Sequence, residues 1–322
     1  MADVLVVNPL GAALRHYSRA LVDNLAAAGA EASVRAFAEP SASSGGRARW
    51  ILTYYATLMR ARRARRCVLV LWPPLGFVDL VTTRLLAGPN SWVVVHDPEP
   101  LVRSVGYGWL AVRLASLLPT AHVISHSGAA DDHLIRVLHR ASTHIAHPVA
   151  RPARREMRTG PARIRVLGQY KRDRDLALLS DLAARLPSDA QLDIVGRGWP
   201  VVHGWRTTDR FVDEVEFDAL VRSSDAVLIP YRRFFQSGVA VRCVEWGTPV
   251  VGPAESSLLA LLGADYPGLV GDATSVEGWV RATVDVLGRS RSELDAVARD
   301  AHLRAVADWS RWVGRSRAGT PL

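Results

Sequence analysis

The chain alternates short apolar runs with helix-spaced segments, and it does so in two series. Val4–Asn8, Ala32–Phe37, Cys67–Trp72, Ser91–Val95, His122–Ser125 and Thr143–Ala146 form the first series of strand-like runs. Ile164–Leu167, Gln191–Val195, Ala226–Pro230 and Pro249–Gly252 form the second. A run that is apolar without alternation has no solvent face, so it belongs in a parallel sheet covered on both sides. Parallel neighbours need crossovers, and helices supply them. Tyr17, Leu21, Leu25 and Ala28 recur at helical spacing and stop at Gly29, and further helices are expected near 174–186, 237–246, 256–263 and 291–305. Residues 150–162, rich in Arg, Pro, Ala and Gly, separate the two series as a linker would. The expected architecture is α/β, with two Rossmann-like doubly wound domains facing a cleft. Their expected bounds are residues 1–150, a linker at 151–162, a second domain at 163–305 and a tail at 306–322.

Length and composition agree. A chain of 322 residues suits two domains of roughly 150 each, and 49% hydrophobic residues can fill two cores. Cys67 and Cys243 are far apart in apolar runs, which suits free thiols in a reducing cytoplasm. Met1-Ala2-Asp3 leads straight into Val4 without a charged leader or cleavage site, and no run of about 18 uncharged apolar residues occurs. A cytoplasmic protein is expected. The formal charge of +9 comes almost entirely from arginine, a bias of the whole chain, and permits acidic partners such as nucleotide phosphates, anionic lipid or nucleic acid.

Against that bias one lysine stands out. Lys171 is the only lysine among 40 Lys+Arg residues. It follows the strand Ile164–Leu167 through Gly168, Gln169 and Tyr170, with Arg172 next to it. A lysine is a compact point charge where arginine is a flat fork, and a strand–glycine–helix junction is where an α/β protein holds a phosphate. Lys171 either binds such a phosphate or is a stray surface lysine. A second candidate lies after Ala226–Pro230, where Ser237 and Gly238 open a helix that ends near Gly247. Serine caps a helix well, and glycine lets a ligand approach the free N–H groups at its positive end. An ordinary capped helix explains the same residues.

The remaining candidates are His96 and Asp97 at an expected strand end, and Gly11 in the loop after the first strand. Each could face a sugar or simply close a βα turn. A dehydrogenase fingerprint fails because Pro200 interrupts Gly196-Arg197-Gly198-Trp199. The pairs His122/His126 and His144/His147 lack a third ligand in sequence, so core or surface histidines are expected rather than a metal site. Asp173-Arg174-Asp175 has metal-binding spacing but stands at a helix start, where carboxylates cap.

Taken in order, these segments resemble the retaining, family-4-like GT-B glycosyltransferases. Asp225–Pro230-Tyr231, the loop, Ser237-Gly238-Val239, then Gly247-Thr248-Pro249-Val250-Val251 is similar to their donor-binding segment. Gly168-Gln169-Tyr170-Lys171 resembles a shortened form of their Gly-x-x-Tyr-Lys loop, and Val195-Gly196-Arg197-Gly198 resembles their Val-Gly-x-Gly turn. Val95-His96-Asp97-Pro98-Glu99-Pro100 and Ser125-His126-Ser127 are similar to acceptor-side segments. The resemblance runs from residue 3 to about 310. It implies a nucleotide diphosphate sugar donor held by Gly11, Gly168, Gln169, Arg172, Gly196, Ser237, Gly238, Val239 and Glu245. It also implies catalysis by Lys171 with His96 and Asp97, no metal or other cofactor, and a last helix near 306–316 returning to the first domain. Many of these enzymes carry a glutamate pair across the donor helix. The matching positions here are Phe234 and Arg242, so the resemblance is to a Ser-Gly subgroup without the pair, and Glu245 is a neighbour rather than a match.

Residues 47–66 combine Trp50, Tyr54, Tyr55, Leu58 and Met59 with Arg60, Arg62, Arg63, Arg65 and Arg66. Two readings stand: a helix packed on its sheet with arginines in water, or a basic aromatic face resting on anionic lipid. No nucleic-acid reader motif accompanies the cluster, so a nucleic-acid partner is not expected. The functional expectation is a glycosyltransferase acting on a glycan or lipid-linked acceptor. The alternative is a non-catalytic protein of the same fold that serves as an interaction or scaffold subunit, because function lives in the site and not in the fold.

Overall fold

A computed structural model of the chain describes residues 3–39, 46–99, 104–153, 159–231 and 235–318. The chain divides into two units, one of Met1–Ala150 with Leu303–Leu322 and one of Arg151–His302. Parts of two expected segments, Arg154–Arg155 and Arg232–Phe234, lie outside the described residues, as does Pro100.

The first unit is built in the order β1 (Asp3–Asn8), α1 (Arg15–Ala27), β2 (Glu31–Ala36), α2 (Gly46–Arg63), β3 (Cys67–Val70) and α3 (Val78–Ala87). It continues through β4 (Ser91–Val94), α4 (Trp109–Leu117), β5 (His122–Ser125), α5 (Gly128–Leu138) and β6 (Thr143–His144). The strands pair in parallel in the order β2-β1-β3-β4-β5-β6. The central strands β1, β3 and β4 are buried nearly throughout, as uninterrupted apolar runs require. β2 departs from the expectation of burial on both faces. It is the edge strand, and Ser33, Val34, Arg35 and Ala36 are exposed.

Residues from α2, α3, α4 and α5 share one core on one face of the sheet, including Tyr54, Leu58, Leu80, Ala111, Ala115 and Leu134. On the other face Tyr17, Leu21 and Leu25 of α1 pack with Trp309, Trp312 and Val313 from the far end of the chain.

The second unit runs β7 (Arg163–Leu167), α6 (Leu176–Ala183), β8 (Gln191–Val195), β9 (Arg206–Thr208), α7 (Glu214–Arg222) and β10 (Ala226–Leu228). It continues through α8 (Gly238–Glu245), β11 (Val250–Pro253), α9 (Ser257–Leu262), β12 (Leu269–Val270) and α10 (Val276–Leu287), and α11 (Arg291–Ala318) belongs to it as far as His302. Its parallel sheet has the order β12-β11-β10-β7-β8-β9. Sequence reading missed β9 and β12, which are two or three residues long. The helices expected at 291–305 and 306–316 are one helix, α11. No proline lies between Arg291 and Ala318 to break it. Among the described residues no helix is long and apolar enough to cross a membrane.

Candidate functional site

In the second unit three turns leave the carboxyl ends of the neighbouring strands β8, β7 and β10. This is the edge at which open α/β sheets bind ligands. Gly168, after β7, has φ +92°, a left-handed conformation open to glycine. Its N–H donates to the Val195 carbonyl at 3.0 Å, which ties the β7 turn to the end of β8. Gly196 crosses directly over it, since a Cβ on Gly196 would stand 2.1 Å from the Gly168 carbonyl oxygen. A Cβ on Gly168 would meet the Arg174 guanidinium at 3.3 Å and Val239 Cγ2 at 3.6 Å. Gly168, Gly196 and Val239, predicted separately, therefore meet in one place.

Val239 sits in the first turn of α8. Ser237 is the N-cap of that helix, extended in backbone, and its Oγ accepts the Ala240 N–H at 3.3 Å. Gly238 is exposed, and a Cβ built on it would meet nothing within 4 Å. The protein's own packing thus leaves open space where the helix presents its free N–H groups.

Arg174 completes the turn and was not among the predicted site residues. It is 5% exposed, and its guanidinium carbon lies 4.7 Å from the ring centroids of both Trp199 and Tyr231. Its Nη2 donates to the Leu167 carbonyl at 2.9 Å, while its buried Nε has no hydrogen-bond partner among the described residues. The Trp199 indole donates to the Gly168 carbonyl at 2.7 Å. The available signal was an arginine between two aspartates near a strand end. Asp175 is the N-cap of α6, with Oδ1 accepting the Leu178 N–H at 3.0 Å.

Lys171 does not open α6, which begins at Leu176. It lies with Gln169 and Arg172 in the exposed part of the loop, and among the described residues neither Lys171 nor Arg172 forms an ion pair. Glu245 is buried at the last residue of α8, about 10 Å along the axis from its first. It stands at the opposite end from the open N–H groups. Arg242, at the position of the absent glutamate, pairs with Asp218 of α7 through Nε at 2.8 Å.

In the first unit His96 follows β4 and is 6% exposed. Its Nε2 lies 2.9 Å from the Leu71 carbonyl, and its ring meets Tyr17 edge-on and stacks on Trp72. It belongs to a cluster with His126 and His147. The Tyr17 hydroxyl is 2.8 Å from His126 Nε2, and His126 Nδ1 is 2.7 Å from the Ile145 carbonyl. A carbonyl can only accept, so Nδ1 carries the proton and Tyr17 donates to Nε2. Burial, reinforced by the neighbouring imidazoles, holds His126 well below the usual histidine range. Burial likewise pushes His147 down to about 3. His126 and His147 are neutral at pH 7. Asp97 is half-buried next to His96. His144 stands apart from the cluster, its Nδ1 2.7 Å from Asp131. Among the described residues no three His, Cys, Asp or Glu side chains are placed to hold a metal.

Gly11 donates to the Phe37 carbonyl at 3.0 Å, and a Cβ there would stand 2.5 Å from that oxygen. The glycine is required by backbone approach alone. It also lines an open groove of about 810 Å³ with Asn8, Arg15, Ser18, Arg19 and Phe37.

No family model matches the chain, and no curated protein matches its sequence. Solved structures do match. The Anabaena HepE structure in complex with UDP-glucose aligns with a TM-score of 0.66 at 13% identity, over 99% of this chain and 100% of that one. Sucrose-phosphate synthase from Thermosynechococcus elongatus aligns at 0.62 and 13% identity, over 99% of each chain. The trehalose 6-phosphate synthase of Burkholderia multivorans aligns at 0.59 and 12%, again over 99% of each. At such identities the likeness is one of fold, and the chain is an α/β protein of two six-stranded parallel sheets with the fold of the GT-B glycosyltransferases.

Proposed function

We propose that the chain is a retaining glycosyltransferase that uses a nucleotide diphosphate sugar and no metal. The observation that carries this reading is the meeting of Gly168, Gly196 and Val239 at the start of α8, where Gly238 leaves space over free N–H groups. In the proposed reaction the donor's anomeric C–O bond to the diphosphate breaks. A new C–O bond forms to the acceptor hydroxyl, on the face that was vacated, and the hydroxyl proton is released. Negative charge grows on the departing diphosphate. The α8 N-terminus stabilises it as fixed donors do, with Lys171 and Arg172 closing over it from the exposed loop after Gly168. In the first unit His96 and Asp97 orient the acceptor. The acceptor is a glycan or a lipid-linked sugar, and the basic end of α2 contacts an anionic membrane, each arginine there adding about 1 kcal/mol.

A thermal-shift screen of UDP-, GDP-, ADP- and dTDP-sugars tests donor binding. Proton NMR of the product then reads the anomeric configuration, and turnover in EDTA reads the metal. An inverted product, or activity restored only by Mg²⁺ or Mn²⁺, overturns the corresponding part. One observation favours a second reading, a non-catalytic subunit: Arg242 occupies a position where many of the resembling enzymes carry glutamate, and Asp218 neutralises it. Donor binding without transfer to any acceptor or water would select that reading.

A further inference from the structure

α4 is inside out. Its two buried residues, Ala111 and Ala115, are its smallest, and they are what it presents to the core. Its large side chains point to water: Trp109 is 76% exposed, Leu110 56% and Leu117 71%, with Leu114 and Leu118 also exposed. Positions 109, 113 and 117 and positions 110, 114 and 118 form two rows of residues about one turn apart, joined by the i,i+3 neighbours 110/113 and 114/117, so these side chains make one continuous face with Arg113 in its middle. Val105, just before the helix, extends the face, and exposed Ile135 lies on the adjoining α5. An amphipathic helix in a water-soluble layer buries its large apolar residues, and contiguous apolar exposure marks a contact surface.

The charges around this face are of one sign over a long stretch. Between residues 104 and 130 the chain has no Asp or Glu, and between 46 and 96 it has only Asp79, which is fully buried. α2, α3, α4 and α5 form one layer, so these acid-free stretches share a side of the sheet. Arg113 is exposed within the face, and Arg136 is exposed on α5. Arg140 donates to the carbonyls of Ser116 and Leu118 at 3.3 and 3.0 Å, which fixes a cation at the carboxyl end of α4. Two exposed carboxylates lie beside α5: Asp132 on the helix itself and Glu99, 3.7 Å from His133 Nδ1. An exposed tryptophan and leucines bordered by arginines match the headgroup level of an anionic bilayer, where the aromatic ring and aliphatic chains enter and the guanidiniums meet phosphates.

α2 carries a smaller face: among its large apolar side chains only Leu52 and Met59 are exposed. Trp50 Nε1 donates to the Pro9 carbonyl, Tyr54 is fully buried, and the Tyr55 hydroxyl is bound to Asp79. Its contribution to the layer is more basic than apolar.

We infer that the outward face of α4, Trp109, Leu110, Leu114, Leu117 and Leu118 around Arg113, inserts into the headgroup region of an anionic phospholipid membrane. The inference deepens the membrane contact proposed above by moving its apolar anchor from α2 to α4. It does not depend on sugar transfer.

The test uses the full chain carrying Trp109→Cys labelled with a polarity-sensitive fluorophore, since Cys67 and Cys243 are buried. Vesicles of phosphatidylcholine alone are compared with vesicles containing 30% phosphatidylglycerol. The expected result is a blue shift with the anionic vesicles only, and at least a five-fold loss of the vesicle-bound fraction in Leu114→Glu/Leu117→Glu. Both leucines are exposed, so that variant should keep the wild-type melting curve, and circular dichroism checks it. If wild type sediments with anionic vesicles but the label does not shift and the double variant still binds, α4 is not the anchor. Loss of binding in Arg60→Glu/Arg63→Glu would then leave the α2 contact standing. If nothing sediments, both contacts fail. A label shift that grows with protein concentration without vesicles, together with dimer mass by light scattering, would make a second copy of the chain the occupant and overturn the inference.

Discussion

The guanidinium carbon of Arg174 lies 4.7 Å from the ring centroid of Trp199, and the same indole donates at 2.7 Å to the carbonyl of Gly168. A buried cation is thereby held between two aromatic faces under the turn that reaches α8. Arg174→Lys would keep the charge but lose the flat stacking surface and the bond to the Leu167 carbonyl. A loss of about 1–3 kcal/mol in unfolding free energy is expected, measured by urea denaturation. An unchanged midpoint would show that the stack carries no weight.

Lys171 differs in kind, because it is exposed and among the described residues its side chain forms no ion pair. Lys171→Ala should leave the melting temperature unchanged and lower kcat by about 30- to 1,000-fold, the roughly 2–4 kcal/mol of a single charge-stabilising donor. Full turnover in this variant would remove Lys171 from the reaction.

At Gly238 the fold and the proposed ligand make opposite demands. The fold accepts a Cβ, since nothing lies within 4 Å of one. Gly238→Ala should therefore fold as wild type, and Gly238→Val should fold while losing donor binding. Calorimetric titration with nucleotide diphosphates measures this. Normal affinity in the valine variant would place the diphosphate elsewhere.

The buried histidines predict a pH dependence. His126 and His147 are held neutral in the fold, the latter down to about 3. The unfolded chain takes up protons at these sites below about 6.5 while the folded chain does not, so stability is full above that pH and falls as pH drops. The loss is about 1.4 kcal/mol per pH unit for each histidine that stays neutral. His144 is raised by its hydrogen bond to Asp131 and adds stability over the same acid range, offsetting part of the loss. The denaturation midpoint should drop between pH 7 and pH 5, and His147→Phe should make the slope shallower. An identical slope would assign the loss to other groups.

The sheets were legible because parallel strands buried on both faces must be apolar throughout, as at Val4–Val7 and Val68–Val70. The edge strand β2 lies largely in water, and Ser33 and Arg35, set between its apolar residues, are the local sign that it is not buried on both faces. At the site, glycines and the cap at Ser237 could be read because each answers a backbone requirement of its own. Arg174 could not be read, since its meaning comes from Trp199 and Tyr231, which are distant in sequence. The outward face of α4 could not be read for a related reason, since only its neighbours reveal that Ala111 and Ala115 face inward.

α11 is a single helix of 28 residues, and the boundary between the two units falls within it, after His302. Its Trp309, Trp312 and Val313 belong to the core of the unit that begins at the N-terminus. During synthesis residues 1–150 are made before the second unit, yet their core is completed only when Trp309, Trp312 and Val313, translated after that whole unit, have left the ribosome.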